Sequence, residues 1–171
     1  MFSDSTGQQP ARVPFTKSLV GPAGEYWVLH CLYRQGVLAA LAPPGVPDVD
    51  VLVLYAHHEI AVGLQVKTTT LGADHGWPMN KKDERLTDPH LFYALVDLKP
   101  QHAVTYIVPS SVLAHVLWAS HDAWLKQPGR EGQPHNDNDV RRIRPKYPYL
   151  VPDVPDGWLD QYRDGWHIIS Q

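Results

Sequence analysis

Two apolar runs of strand length organise the hydrophobic pattern of the chain. One is Asp48-Val49-Asp50-Val51-Leu52-Val53-Leu54; the other, after a short polar interruption, is Ala61-Val62-Gly63-Leu64-Gln65-Val66-Lys67-Thr68. Neither alternates strictly between apolar and polar residues, so both are expected as neighbouring strands near the middle of a sheet. Ahead of them, residues 1–18 are polar and aperiodic and predict a loose arm. Gly21-Pro22-Ala23-Gly24-Glu25 predicts the start of a helix, with proline in its first turn and Gly36 as its stop. Glu25, Val28, Leu29 and Leu32 fall at i, i+3, i+4 and i+7, which puts a carboxylate in line with the apolar stripe that should face the sheet. Val37 to Ala42 predicts a first strand, ended by Pro43-Pro44-Gly45, and Tyr55-Ala56-His57-His58-Glu59 a turn between the two central runs.

Downstream, Gly72 to Gly76 and Trp77-Pro78-Met79-Asn80-Lys81-Lys82 predict a solvated surface turn, because Asp83 and Glu84 follow the basic pair at once. Leu91 to Leu98 and Ala103 to Val108 predict two adjacent strands separated by a tight turn. Pro109-Ser110-Ser111 predicts a cap for a helix running to Trp124-Leu125, with Val112, Leu113, Val116 and Leu117 at helical spacing. Gln127 to Asp139 predicts a long loop, and Arg141-Arg142-Ile143-Arg144-Pro145-Lys146 a basic cluster. The Pro-rich last stretch carries Trp158, Leu159, Tyr162, Trp166, Ile168 and Ile169, which are expected to dock on the core as a final helix and strand.

Length and charge narrow the picture. At 171 residues one domain with a real core is the simplest expectation. A net charge of -3 means that contact with nucleic acid would have to come from a local basic patch rather than from a global field. Cys31, the single cysteine, fits a reducing compartment; the polar start lacks a signal-peptide core, and no apolar run reaches membrane-spanning length. A cytoplasmic protein with no membrane partner is therefore expected. The ten histidines show no zinc spacing, and the phosphate-cradling and serine-hydrolase motifs are lacking.

The central runs carry polar groups that a core strand should lack. With a period of two, Gln65 and Lys67 share one face while Leu64 and Val66 share the other, and Asp50 opens the strand before them. Buried polar groups need partners. One solution is a structural ion pair between Asp50 and Lys67, with Glu25 merely complementing its helix dipole; the other is a divalent cation and a phosphodiester.

The order of these features, helix with Glu25, strand, strand with Asp50, strand with Gln65-x-Lys67, resembles the PD-(D/E)XK nuclease superfamily. There a helix acid, a strand aspartate and a (D/E)-x-K tripeptide converge. The resemblance puts Glu25, Asp50, Gln65 and Lys67 in those catalytic positions, with Pro47-Asp48 as a literal "PD" and Asp48 in reserve. The strand 91–98, Tyr106-Ile107-Val108-Pro109-Ser110, His121-Asp122-Ala123-Trp124-Leu125 and the loop 128–138 look like segments of a small stand-alone bacterial branch of that superfamily.

The resemblance implies an α/β fold with a restriction-endonuclease-like core, a central mixed β-sheet of about five strands flanked by helices, occupying residues 19–171 after the 1–18 arm. It implies a Mg²⁺- or Mn²⁺-dependent endonuclease that hydrolyses phosphodiester bonds in nucleic acid, with DNA favoured over RNA. Asp50 would be the direct metal ligand, the Val66 carbonyl would add an oxygen, Glu25 would hold a metal-bound water, and Lys67 would orient the water or stabilise charge on the phosphate. Gln65 departs from the pattern and leaves the site one negative charge short, although some homing and restriction nucleases of the superfamily carry Gln-x-Lys and remain active. The expected nucleic-acid contacts are Lys81, Lys82, Arg130, His135, Arg141, Arg142, Arg144 and Lys146, and a homodimer is compatible with the resemblance. The alternative is a catalytically inactive nucleic-acid-binding or protein-assembly module on the same fold.

Overall fold

The computed structural model describes residues 16–54, 60–99 and 101–169. Helix α1, Lys17–Arg34, buries Val28, Leu29 and Leu32, the apolar part of the expected stripe, leaves Glu25 half-buried, and buries Gly24 as well. It is followed by strands β1 (Leu38–Leu41), β2 (Val51–Leu54), β3 (Ile60–Thr69), β4 (Trp77–Asn80), β5 (Leu91–Asp97) and β6 (Val104–Pro109), helix α2 (Ser110–Leu125) and strand β7 (Val140–Ile143). Five strands form a sheet in the order β1-β2-β3-β5-β6, parallel only between β3 and β5, while β4 and β7 pair antiparallel in a separate ribbon. Among the described residues the fold is thus α/β with a mixed five-stranded central sheet and two α-helices.

Strand β5 is buried at every position because both faces of the sheet are covered. Phe92, Ala94 and Val96 meet the α1 side, packing with Val28, Leu32, Val51 and Leu64. Tyr93 and Leu95 meet the other side, packing with Trp77, Leu113, Leu117 and Ile143 from α2 and the ribbon. Gly24 allows α1 to press on the end of β3: a Cβ there would lie 1.9 Å from the Thr68 hydroxyl oxygen. At the open side, β1 is an edge strand, and the Tyr33 hydroxyl donates to the Ala39 carbonyl at 2.6 Å.

Several expectations change. α1 begins at Lys17, within the last two residues assigned to the arm, so Pro22 lies inside the helix rather than in its first turn. The proline removes the N–H that would reach the Ser18 carbonyl, and Ser18 is exposed, which leaves that carbonyl outside the core. Trp77–Asn80 is a strand and not a solvated turn: Trp77 and Met79 are buried while Pro78 and Asn80 face out. Its end is fixed by an Asn80/Asp83 capping box that opens the 3₁₀ turn Lys81–Glu84. The C-terminal stretch docks through Trp158, Leu159, Trp166 and Ile169, but as two 3₁₀ turns, Asp160–Tyr162 and Trp166–Ile169, rather than as a helix and a strand. The turn expected at 55–59 lies outside the described residues. Among the described residues no helix is long and apolar enough to cross a membrane.

Candidate active site

β2 accompanies β3 only as far as Leu64, whereas β5 follows β3 to Thr69. Beyond Leu64 the β2 side of β3 therefore lies open, and Asp50 stands at the opening. Its backbone N–H donates to the Leu64 carbonyl at 2.8 Å, and its carboxylate Oδ2 accepts the Val66 N–H at 2.7 Å. A side chain thus takes the place of the next ladder bond. Val49 helps to hold it there, since its methyls pack so closely over Gly63 that a Cβ on that residue would lie 2.8 Å from Val49 Cγ2. In a strand the N–H and C=O of one residue point the same way, so the Val66 carbonyl faces the Asp50 edge too.

Gln65 and Lys67 pair with Tyr93 and Leu95 and so lie on the α2 side of the sheet, while Val66 and Thr68 lie on the α1 side. Glu25 therefore approaches the opening from the face opposite Gln65 and Lys67. It is close enough to Asp50 for the two charges to interact: burial first, and the Asp50 carboxylate second, hold the Glu25 carboxyl above the usual carboxylate range. The structural alternative of an Asp50–Lys67 ion pair is not formed; Asp50 is engaged with Val66, and Lys67 has no salt bridge among the described residues.

Two buried polar atoms here lack a hydrogen-bond partner, Gln65 Oε1 and Thr68 Oγ1. Gln65 is 7 % exposed, so its oxygen is an acceptor withdrawn from water with no donor to replace it. Such an atom costs stability unless something else meets it. Among the described residues no three His, Cys, Asp or Glu side chains gather as a cation cage. A cation at this edge would therefore draw on a mixed set: the Asp50 and Glu25 carboxylates, the neutral Gln65 oxygen and the Val66 carbonyl. All four are hard oxygen donors, which suits Mg²⁺ or Mn²⁺ and leaves room for retained waters.

Asp48, the reserve candidate, is in an ion pair with Lys82, and this bond holds the Lys82 ammonium above its usual range. Next to it lies a pair the sequence did not single out. Tyr93, directly across from Gln65, donates its hydroxyl to Asp83 Oδ1 at 3.0 Å, and Asp83 Oδ2 accepts the Asn80 N–H at 2.8 Å. Burial, then the Asp83 charge, holds the Tyr93 phenol far above its usual range. The N-x-x-D spacing of the capping box was the available signal for Asp83.

The basic residues divide by how their charge is spent. Arg141 is 3 % exposed and bonded to Glu84, Asp137 and the Asn138 carbonyl, so it is internal rather than a surface contact. Lys81 pairs with Asp137 at 2.7 Å and Lys146 with Asp156 at 2.6 Å. Arg142 donates to the His75 carbonyl at 2.9 Å, and among the described residues neither it nor Arg144 nor Arg130 has a carboxylate partner. His135 stacks on Trp124 with ring centroids 4.0 Å apart.

No family model matches the sequence, and comparison with curated proteins finds no match. Among solved structures, a bacterial homing endonuclease, I-Ssp6803I, is similar to this chain with a TM-score of 0.50 and 12 % identity, covering 90 % of this chain and 91 % of that one. At that identity the likeness is one of fold.

Proposed function

We propose that the chain is a metal-dependent endonuclease acting on DNA, of the PD-(D/E)XK type, with Gln65-Val66-Lys67 as its tripeptide. The observation that carries this reading is the buried Gln65 oxygen without a donor, one residue from the Asp50–Val66 contact and beside two carboxylates of like charge. A fold shared with a homing endonuclease supports it.

Asp50 and Glu25 would hold a Mg²⁺ or Mn²⁺ ion, with Gln65 Oε1 and the Val66 carbonyl as neutral donors. When bound, such an ion supplies charge relief at a phosphate and a water of lowered pKa. The chain's own residues set the geometry. Asp50 is held by the Val66 N–H at 2.7 Å, so it needs little reorganisation to act. Lys67, two residues past Gln65 on the same face, stabilises negative charge developing on the phosphate or orients the attacking water. Arg130, Arg142 and Arg144, with Lys81, Lys82 and Lys146 as their acidic partners yield, track the phosphate backbone, and affinity should fall steeply with salt. Residues 19–171 act as one unit in this scheme.

The test is a panel of DNA and RNA substrates incubated with Mg²⁺, Mn²⁺ or EDTA. DNA should be nicked or cut only with metal, and Asp50→Ala and Lys67→Ala should each reduce the rate about 100-fold or more. Metal-independent cleavage, or cleavage that survives both substitutions, would overturn the proposal; salt-sensitive binding without turnover would favour an inactive binding module.

A further inference from the structure

A cavity of about 330 Å³ lies between α2, β7 and the segment that follows β7. It shares no residue with the Glu25–Asp50–Gln65–Lys67 cluster. Its volume is within the range of small-molecule sites. Three features of its wall point to one kind of occupant.

The first is charge. Arg142 in β7 and Arg144 just after it are half-buried and line the cavity together with the buried Arg141, and Arg142 also donates to the His75 carbonyl. These two guanidinium groups have no carboxylate partner among the described residues, although the chain as a whole carries a net charge of -3. Their neighbour Arg141 shows what the fold does with a structural arginine: it buries it against Glu84 and Asp137. Two arginines left without acids in one concavity match a phosphate, which accepts the forked N–H donors of guanidinium.

The second is aromatic surface. Trp124 and Tyr149 line the same cavity, where the indole already engages His135 at 4.0 Å and His121 at 5.3 Å between ring centroids, so a planar base would join this ring cluster or displace one of the histidines. Tyr149 is anchored by its hydroxyl, which donates to the Ser120 carbonyl at 3.3 Å, so its ring is held against the wall. The third is a neutral polar group, the Asn138 amide, whose Oδ1 accepts the Val140 N–H at 2.8 Å and whose NH₂ can donate to the edge of a planar base.

We infer that this cavity binds a single nucleotide unit, its phosphate on Arg142 and Arg144 and its base against Trp124 and Tyr149. The unit is either a free mononucleotide or one nucleotide of a strand, terminal or turned out of its stack. The cavity lies apart from the Asp50 cluster, gives a specific form to the phosphate contact assigned above to Arg142 and Arg144, and the inference stands whether or not that cluster cuts.

The experiment is calorimetric titration of the full chain in EDTA, so that cleavage plays no part. The probes are the four ribo- and deoxyribonucleoside monophosphates, inorganic phosphate, unphosphorylated nucleosides and a short single-stranded oligonucleotide. Saturable binding of a monophosphate is expected to be stronger than that of phosphate or nucleoside alone, and about tenfold weaker or more in Arg144→Gln. A strand-borne nucleotide would show as oligonucleotide binding with the same loss in that variant and no monophosphate binding. Both arginines are partly exposed, so the variants should fold, and unchanged thermal midpoints would verify this. No saturable binding of any probe, affinity unchanged in an Arg142→Gln/Arg144→Gln double variant, or phosphate binding as well as the nucleotide would overturn the inference.

Discussion

The molecule treats buried polar groups in two opposite ways. Around the β4–β7 ribbon and the Lys81–Glu84 turn, two such groups are answered: Arg141 has Glu84, Asp137 and the Asn138 carbonyl, and Asp83 has the Tyr93 hydroxyl and the Asn80 N–H. At the open edge of β3, Gln65 Oε1 and Thr68 Oγ1 are left without partners, and Glu25 faces a carboxylate of its own sign. The first arrangement is that of a structural joint, since it fastens the β4–β7 ribbon to the 3₁₀ turn beside it. The second costs stability as it stands, and a fold that retains it gains nothing structural in return. Pairing, more than the mere presence of charge, separates the two regions.

The largest expected effect comes from breaking the answered side. Arg141→Ala leaves the half-buried Glu84 without its partner, and loss of one partner from a largely buried pair costs up to about 3–5 kcal/mol. The shift should appear in the denaturant midpoint at an unchanged slope. Next comes Gly24→Ala, which drives a methyl into the Thr68 side chain and should cost about 1–3 kcal/mol by overpacking, while also displacing Glu25 and so lowering any metal-dependent activity.

Glu25→Gln should act in the other direction. Because the folded protein holds this carboxyl above its ordinary pKa, the protonated form is the one the fold favours. That contribution is present below the ordinary glutamate pKa and is lost as pH rises through the raised value. The amide cannot ionise, so in EDTA the variant's thermal midpoint should fall less than wild type's across that window. Mg²⁺ should raise the wild-type midpoint more than the variant's, because a ligand stabilises only the state that binds it. The smallest effect is expected for Lys82→Ala, whose exposed ion pair with Asp48 belongs to a class worth about 0–1 kcal/mol, measured in the same denaturation series.

What the chain disclosed before folding follows the same division. Strands β2, β3, β5 and β6 and helix α2 were legible because long apolar runs leave few alternatives. The ribbon was not. β4 hides its period of two behind Pro78, tolerated because the strand pairs on one side only, with β7. β7 reads as a basic surface cluster because an arginine fills a core position that pattern reading reserves for apolar residues, and only the distant Glu84 reveals why. For the candidate site, the order Glu25, Asp50, Gln65, Lys67 was legible. That Glu25 and the Gln65–Lys67 pair approach from opposite faces depends on where β2 stops, which no local pattern encodes.

The contact between Tyr33 and the edge strand bears on how copies of the chain meet. An unpaired strand edge invites a strand from another molecule, which needs a free carbonyl to begin zipping. The Tyr33 hydroxyl already occupies the one at Ala39, 2.6 Å away. An arriving strand must first evict a phenol held on the adjoining helix, so the tyrosine works as a guard against edge-to-edge aggregation.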